Sequence, residues 1–180
     1  DEEAVYVLSV FIDGYTIGSS PLKLGQVNEI AKILGTLHRS TEDLPAHLMK
    51  QLPRENFDIG FCRSLYKFIK NDLVSKHDAV LRIVKPFAGY LLDNIKRMKY
   101  LAETLKKKQK HYVLCHGDLH YWNMIQSKHI KLIDWECANL APPEQDLILH
   151  IAGQNAELFL SVYRKYITSY ELDLDALEFY

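Results

Sequence analysis

The stretch Val113–Ile125, VLCHGDLHYWNMI, sets two histidines, an aspartate, a tryptophan and an asparagine between short apolar runs. A metal cage, a catalytic loop and a polar turn between strands all place such residues together, and spacing is what separates them. His116, Asp118 and His120 alternate, and alternating side chains of an extended strand share one face, so these three can converge on Zn2+. A fourth ligand is not evident, because Cys115 and Cys137 flank the segment without metal-ligand spacing.

The residues that follow account for more of the pattern. Asn123 comes five positions after Asp118, and Asp134 eleven positions after Asn123, at the end of the apolar run IKLID. A carboxylate beside a substrate hydroxyl orients it and can accept its proton, which is the role read for Asp118. Mg2+ is a hard cation that takes oxygen ligands and few protein groups, so an amide oxygen from Asn123 and a carboxylate from Asp134 suit it, with nucleotide phosphates and water completing the shell. Phosphoryl transfer then needs positioning and charge neutralisation, and no covalent nucleophile.

Outward from this centre, HYVLC and HIKLIDW read as two neighbouring strands. Upstream, Ala4–Gly14 reads as a strand ending at an Asp-Gly turn, and a chain that starts inside a strand points to a missing partner before it. Pro21–His38 reads as an amphipathic helix through Leu24, Val27, Ile30, Ala31, Leu34 and Leu37. Residues 40–57, with Pro45 and Pro53, read as loop with short turns. Helical patterns cover Gly60–Val74, Ala79–Lys107, Gln145–Gly153 and Ala156–Tyr170, and the chain stops inside another, LDALEFY, which looks cut. The basic run KKKQK reads as a solvated helix end, with a phosphate or nucleic-acid patch as the alternative.

Composition limits the partners. The chain has 180 residues, 48% hydrophobic and 25% charged, with 22 Lys plus Arg against 23 Asp plus Glu. At a formal charge of -1 no global field draws nucleic acid or an anionic membrane. No apolar run approaches the roughly 20 residues of a membrane helix, and the odd, dispersed set Cys62, Cys115 and Cys137 argues for reduced thiols. The expectation is a soluble, cytoplasmic protein without nucleic-acid or membrane partners.

Acid, amide at plus five and strand-terminal acid are also the catalytic order of protein-kinase-like enzymes. VLCHGDLHYWNMI followed by IKLIDWECANLAPPEQDL resembles the paired signature of the aminoglycoside phosphotransferase and choline kinase superfamily, H-G-D-x-x-x-x-N and I-D-[FW]-[DE]. Its spectinomycin phosphotransferase branch is the most similar, sharing YVLCH, IDW, LAP and a later DL. YVLSVFIDGYTI is similar to the family's passage between lobes, and the helix ending LGTLH to its first long C-lobe helix.

The resemblance implies an α+β fold: a mainly helical C-terminal lobe of a protein-kinase-like fold, with a short β hairpin carrying the catalytic and metal loops. Residues 1–14 would be the end of an N-lobe strand and the hinge, and residues 15–180 the helical lobe, with the N-lobe absent and the last helices cut. Asp118 would be the catalytic base or hydroxyl-orienting group, Asn123 and Asp134 the Mg2+ ligands, and the backbone of Ser9, Val10 and Phe11 would meet the adenine edge. His116 would brace the loop; Asp146 would cap its helix or accept N–H bonds from the catalytic loop.

The implied reaction moves the γ-phosphoryl group of ATP, or alternatively GTP, to a hydroxyl of an aminoglycoside or aminocyclitol. Choline, homoserine and sugar kinases and a non-catalytic nucleotide-binding or partner-binding module remain as alternatives. Trp135-Glu136 stands where protein kinases carry Phe-Gly, which removes their activation segment and favours a small-molecule acceptor. The chain has no Gly-rich phosphate loop and no strand lysine for the α- and β-phosphates, so the fragment is expected to be inactive alone without the missing N-terminal lobe. Tyr121 and Trp122 shape the acceptor pocket or cover the core. Glu171, Asp173, Asp175 and Glu178 attract a cationic acceptor or mark a solvated helix start. His38, His129 and His150 read as packing or surface histidines, and Cys115 as a small buried hydrophobe.

Overall fold

The computed structural model describes residues 10–71, 79–108, 111–168 and 170–180. In chain order come β1 (Tyr15–Thr16), α1 (Leu24–Arg39), α2 (Ala46–Gln51), α3 (Gly60–Asn71), α4 (Ala79–Val84), α5 (Ala88–Lys107), β2 (Val113–Cys115), β3 (Met124–Gln126), β4 (Ile130–Leu132), β5 (Asn139–Ala141), α6 (Glu144–Ile151), α7 (Ala156–Tyr163) and α8 (Leu174–Phe179). Helices with small antiparallel sheets make this an α+β architecture, as expected.

The periodicity of α1 decides the main core. Val27, Ile30, Ala31, Leu34, Gly35 and His38 recur at helical steps and are all buried. Val27, Ile30, Ala31 and Leu34 pack with Leu119 and Met124 from the centre of the chain, and with Leu147, Phe159, Tyr163 and Ile167 from α6, α7 and the turn beyond. A separate cluster of Phe57, Ala102, Leu105 and Ala176 joins α5 to α8.

Strand pairing departs from the reading of HYVLC and HIKLIDW as neighbours. The sheets run β1-β3-β4 and β2-β5, so β2 and β4 lie in different sheets. Three-residue strands carry little register information of their own. A 3-10 turn at Tyr121–Asn123 redirects the chain so that Met124 faces Leu132. A second turn, Trp135–Cys137, sends Asn139–Ala141 back to β2, pairing Cys115 with Asn139. Residues 53–55 border this pair: Leu140 N–H donates to the Pro53 carbonyl at 2.8 Å, and Glu55 N–H to the Leu140 carbonyl at 2.9 Å.

Other differences have local causes. The pattern read as one helix over Ala79–Lys107 is broken by a 3-10 turn at Lys85–Phe87, because Pro86 lacks the N–H that a continuous helix needs. Residues 40–57, read as loop, contain α2, entered through Pro45, whose carbonyl accepts from Leu48 and Met49. The expected helix Ala156–Tyr170 ends at Tyr163 and gives way to turns. Val10–Asp13 form no strand, while residues 1–9 of the expected Ala4–Gly14 strand and the end of the expected Gly60–Val74 helix lie outside the described residues.

One core residue is polar without polar company. His150 is 5% exposed, stacks on Phe159 at 4.9 Å and 9°, and neither ring nitrogen has a hydrogen-bond partner among the described residues. Burial pushes its pKa down to about 4, against a weaker opposing pull from Asp146. The unfolded imidazole takes its proton near 6.5, so between pH 6.5 and 4 the unfolded chain binds more protons and stability falls as pH falls. Urea unfolding between pH 7 and pH 4 should show a loss on the order of 3 kcal/mol from this residue. That part of the loss should be missing in His150→Phe; an identical pH dependence in both proteins would refute the assignment.

Candidate active site

The loop after β2 starts at Gly117, whose φ is +83°, a conformation that disfavours a side chain. A Cβ there would also stand 2.2 Å from the Cys137 carbonyl oxygen. Beyond it, Asp118 is exposed, whereas Leu119 is drawn into the core. His120 N–H donates to the Asp118 carbonyl at 3.0 Å, and Asn123 N–H to the His120 carbonyl at 2.9 Å. The Asn123 side chain is almost fully buried, and its Nδ2 donates to the Asp118 carbonyl at 2.8 Å and to Asp118 Oδ2 at 3.1 Å. With the amide nitrogen spent on Asp118, Oδ1 is the Asn123 atom left to act as a ligand.

Asp134 reaches this loop through the residue before it. Ile133 N–H donates to the Asn123 carbonyl at 3.0 Å, and the Ile133 carbonyl accepts from His116 Nε2 at 2.8 Å. These bonds make Nε2 the protonated nitrogen of His116 and leave Nδ1 to accept from Asp118 N–H at 3.4 Å. His116 is fully buried, with its ring 4.6 Å from that of Trp135. Asp134 follows at φ 65° and ψ 63°, with its side chain exposed. The structure thus brings Asp118 and Asn123 into contact and ties the residue before Asp134 to Asn123 at the open end of the β3–β4 hairpin.

The loop is held from behind by Asp146 on α6. Its Oδ2 accepts from His116 N–H at 2.8 Å and its Oδ1 from Gly117 N–H at 3.1 Å. Of the two roles expected for Asp146, it takes the one toward the loop. His38 Nε2 lies 3.3 Å from Asp146 Oδ2, and His38 Nδ1 lies 2.8 Å from the Tyr163 hydroxyl. No local pattern announces this contact, since His38 and Asp146 are 108 positions apart. His38, Cys115 and Asp146 place potential metal-ligand atoms within 4.8 Å of one another. Asp146 and His38 are already engaged as described, and the Cys115 thiol faces the carbonyls of Ala141 and Pro142 at 3.7 and 3.6 Å. Burial raises the thiol pKa well above its usual value, so it is a poor thiolate donor. The alternating cage of His116, Asp118 and His120 does not form either: His116 turns inward to Ile133, and His120 Nε2 stands 3.6 Å from Asp118 Oδ2.

The remaining candidates divide. Tyr121 packs against the main core and Trp122 stays 62% exposed against Gly18. Asp173 and Asp175 bind Lys108 at 2.8 and 2.6 Å, and Glu178 pairs with Arg97, so this acidic group is largely occupied by cations of the same chain. Asp173 also caps α8. Glu144, not singled out by its sequence context, is fully buried and accepts from the Tyr170 hydroxyl and from Asp173 N–H. Val10 and Phe11 are 90% and 88% exposed, and Ser9 lies outside the described residues.

A family model described as the phosphotransferase enzyme family matches residues 3–180. Protein StrN of Streptomyces griseus is 27% identical over 153 residues, covering 78% of this chain and 46% of that protein. A crystal structure of spectinomycin phosphotransferase in complex with ADP and spectinomycin superposes with a TM-score of 0.66 at 23% identity, over 94% of this chain and 54% of the other. A Plasmodium vivax ethanolamine kinase gives 0.56 at 19% identity, over 93% and 51%. At these identities the structural likeness speaks for the fold, and the chain spans about half the length of the relatives it matches.

Gly117→Ala should destabilise the protein by about 2–5 kcal/mol, combining the left-handed backbone with overpacking. Gly89→Ala, at a helix position with nothing within 4 Å of the added carbon, is the control and should be neutral or stabilising. Equal urea midpoints for the two variants would contradict the packing described for the loop.

Proposed function

The chain belongs to the phosphotransferase enzyme family, and from that premise we propose that it is the mainly helical C-terminal lobe of a small-molecule kinase, transferring the γ-phosphoryl group of ATP, or alternatively GTP, to a hydroxyl. Residues 1–14 are assigned to the end of an N-lobe strand and the hinge, and residues 15–180 to the helical lobe. The observation that carries this reading is the hydrogen-bonded unit in which Asn123 Nδ2 reaches Asp118 Oδ2 while the Asn123 carbonyl holds Ile133, the residue before Asp134.

Each side chain then has a task. The exposed Asp118 carboxylate accepts a hydrogen bond from the acceptor hydroxyl, and takes its proton as that oxygen bonds to phosphorus and the nucleoside diphosphate leaves. Asn123 Oδ1 and the Asp134 carboxylate are oxygen donors suited to Mg2+, which when bound neutralises charge on the phosphates. Backbone groups of Ser9, Val10 and Phe11 are assigned to the adenine edge. Because a phosphate-gripping loop and lysine are not among these 180 residues, turnover is assigned to a protein spanning both lobes.

For the acceptor, similarity to spectinomycin phosphotransferase supports an aminocyclitol or aminoglycoside, and the exposed acid Glu136 suits its amino groups. A choline-type acceptor is the second reading, supported by Trp122 and Trp135, 62% and 42% exposed beside Asn123 and Asp134, since indole faces attract quaternary ammonium. Homoserine or sugar kinase activity, or a module that binds nucleotide without turnover, would be other uses of the fold. The site of action is taken to be the cytoplasm, where ATP is available; among the described residues no helix is long and apolar enough to cross a membrane.

The test uses the protein at the family's full length. Spectinomycin, kanamycin and choline are offered with Mg-ATP and phosphate transfer is followed; nucleotide binding without transfer to any acceptor would favour the non-catalytic module. Asp118→Ala should lower transfer by about 10²–10⁴-fold while Mg-nucleotide still binds. Asn123→Ala and Asp134→Ala should weaken Mg-dependent nucleotide binding. Unchanged turnover in the first, or unchanged metal dependence in both others, would overturn these roles.

A further inference from the structure

We propose that the cavity walled by Glu144 and Glu171 is a binding site for an alkylguanidinium cation, separate from the Asp118 loop. The cavity has a volume of about 220 Å³, and its lining includes His111, Pro142, Glu144, Tyr170, Glu171 and Asp173. His111 precedes β2 and Pro142 follows β5. Val113 pairs with Ala141 and Cys115 with Asn139. The cavity therefore lies at the end of this strand pair away from Cys115, where the Asp118 loop leaves.

The sign of a missing partner is one oxygen. Glu144 is fully buried, and its Oε1 accepts both from the Tyr170 hydroxyl and from Asp173 N–H at 2.7 Å. Oε2 has no hydrogen-bond partner among the described residues. Ionised, this carboxyl is an interior anion with one oxygen unmet; protonated on Oε2, it presents an O–H without an acceptor, and either state costs free energy. Burial raises the Glu144 pKa against the lowering by its two hydrogen bonds, which marks the same shortfall. Holding Tyr170 and the start of α8 accounts for Oε1 alone. A cation against Oε2 supplies what is missing.

The walls decide which cation. Among the described residues the lining holds three carboxylates and no lysine or arginine. Asp173 binds Lys108 Nζ at 2.8 Å, which leaves Glu144 and the exposed Glu171 as the negative charge offered to an occupant. Water would give Oε2 a donor but no countercharge. A bare metal ion needs ligand atoms gathered closely, and among the described residues only His38, Cys115 and Asp146 bring three such side chains within 4.8 Å. A guanidinium spreads its five N–H donors over a plane and lies flat on aromatic rings. The Tyr170 ring, 5.9 Å from that of His111 and inclined to it by 39°, supplies such a face beside Glu144. The group comes either on a free small molecule or on an arginine side chain of a protein segment, and the recognition chemistry is the same for both.

The test is a titration of the 180-residue chain with n-butylguanidinium, n-butylammonium and Nα-acetyl-arginine methylamide, followed by NMR at the Asp173 amide. n-Butylguanidinium should saturate with a Kd of about 1 mM or tighter. n-Butylammonium, with the same charge and no planar fork, should bind at least about fivefold more weakly. Glu144→Gln keeps an acceptor for Tyr170 and Asp173 and removes the charge, so affinity should fall at least about tenfold. Glu171→Ala, at an exposed position where folding is not at stake, should weaken binding by about threefold. Glu157→Gln, an exposed acid in the first turn of α7, is the control and should change nothing. No saturation by about 20 mM, equal affinity for the ammonium ion, or unchanged binding in Glu171→Ala together with a folded Glu144→Gln would overturn the proposal. Tighter binding of the arginine compound assigns the site to a protein-borne side chain, and tighter binding of n-butylguanidinium to a free molecule; both uphold it. Because no turnover is read, failure here leaves the phosphotransferase reading untouched, and the reverse also holds.

Discussion

Two oxygens of one buried carboxylate carry the geometry of the site. Asp146 gathers the N–H groups of His116 and Gly117 on one side and the His38 ring on the other. A carboxylate that accepts several N–H donors holds its partners at short, directional distances. Without it, the N–H groups of His116 and Gly117 would lose their acceptor, and glycine offers no side chain to hold the peptide while Asp118 faces solvent. The loop is exposed in front and hydrogen-bonded behind, which is the condition for a side chain that must meet a substrate in a fixed orientation.

The second constraint joins the two halves of the site. Asp118 belongs to a loop leaving the β2–β5 sheet and Asp134 to a turn leaving the β3–β4 hairpin. No shared ladder fixes them relative to each other. Ile133 does so, giving its N–H to Asn123 and its carbonyl to His116. His116 thus serves both constraints, since its backbone is held by Asp146 and its ring holds Ile133. The cost is a fully buried imidazole, offset by bonds at both ring nitrogens; His150, buried without hydrogen-bond partners among the described residues, shows the uncompensated case.

The parts of the fold and site that the sequence made legible are the local ones. Asp118 and Asn123 are separated by a short spacing that reflects a single turn, so their contact could be read directly. The helix α1 was visible because its apolar stripe runs along one regular element of 16 residues. The pairing of β2 with β5 was not, since three-residue strands have too few side chains to encode a partner. The break at Pro86 had a local signal that the apolar periodicity around it masked. His38, Tyr163 and Glu144 carry no such signal: their partners lie 26 to 125 positions away, and a polar residue on an apolar helix face looks the same in sequence whether it is buried in a network or tucked at the surface.

The clamp at Ile133 has a consequence for tracing distant members of this fold. It works entirely through main-chain atoms, so the side chain there is free to drift among apolar types while the bond pattern survives. Proline is the exception, because it would delete the donor that Asn123 receives. The imidazole on the other end has no such latitude, as few other side chains combine a donor and an acceptor across a ring of that width. Divergent sequences should therefore be judged by the pairing of a histidine with a non-proline at these two places, rather than by identity along the strand.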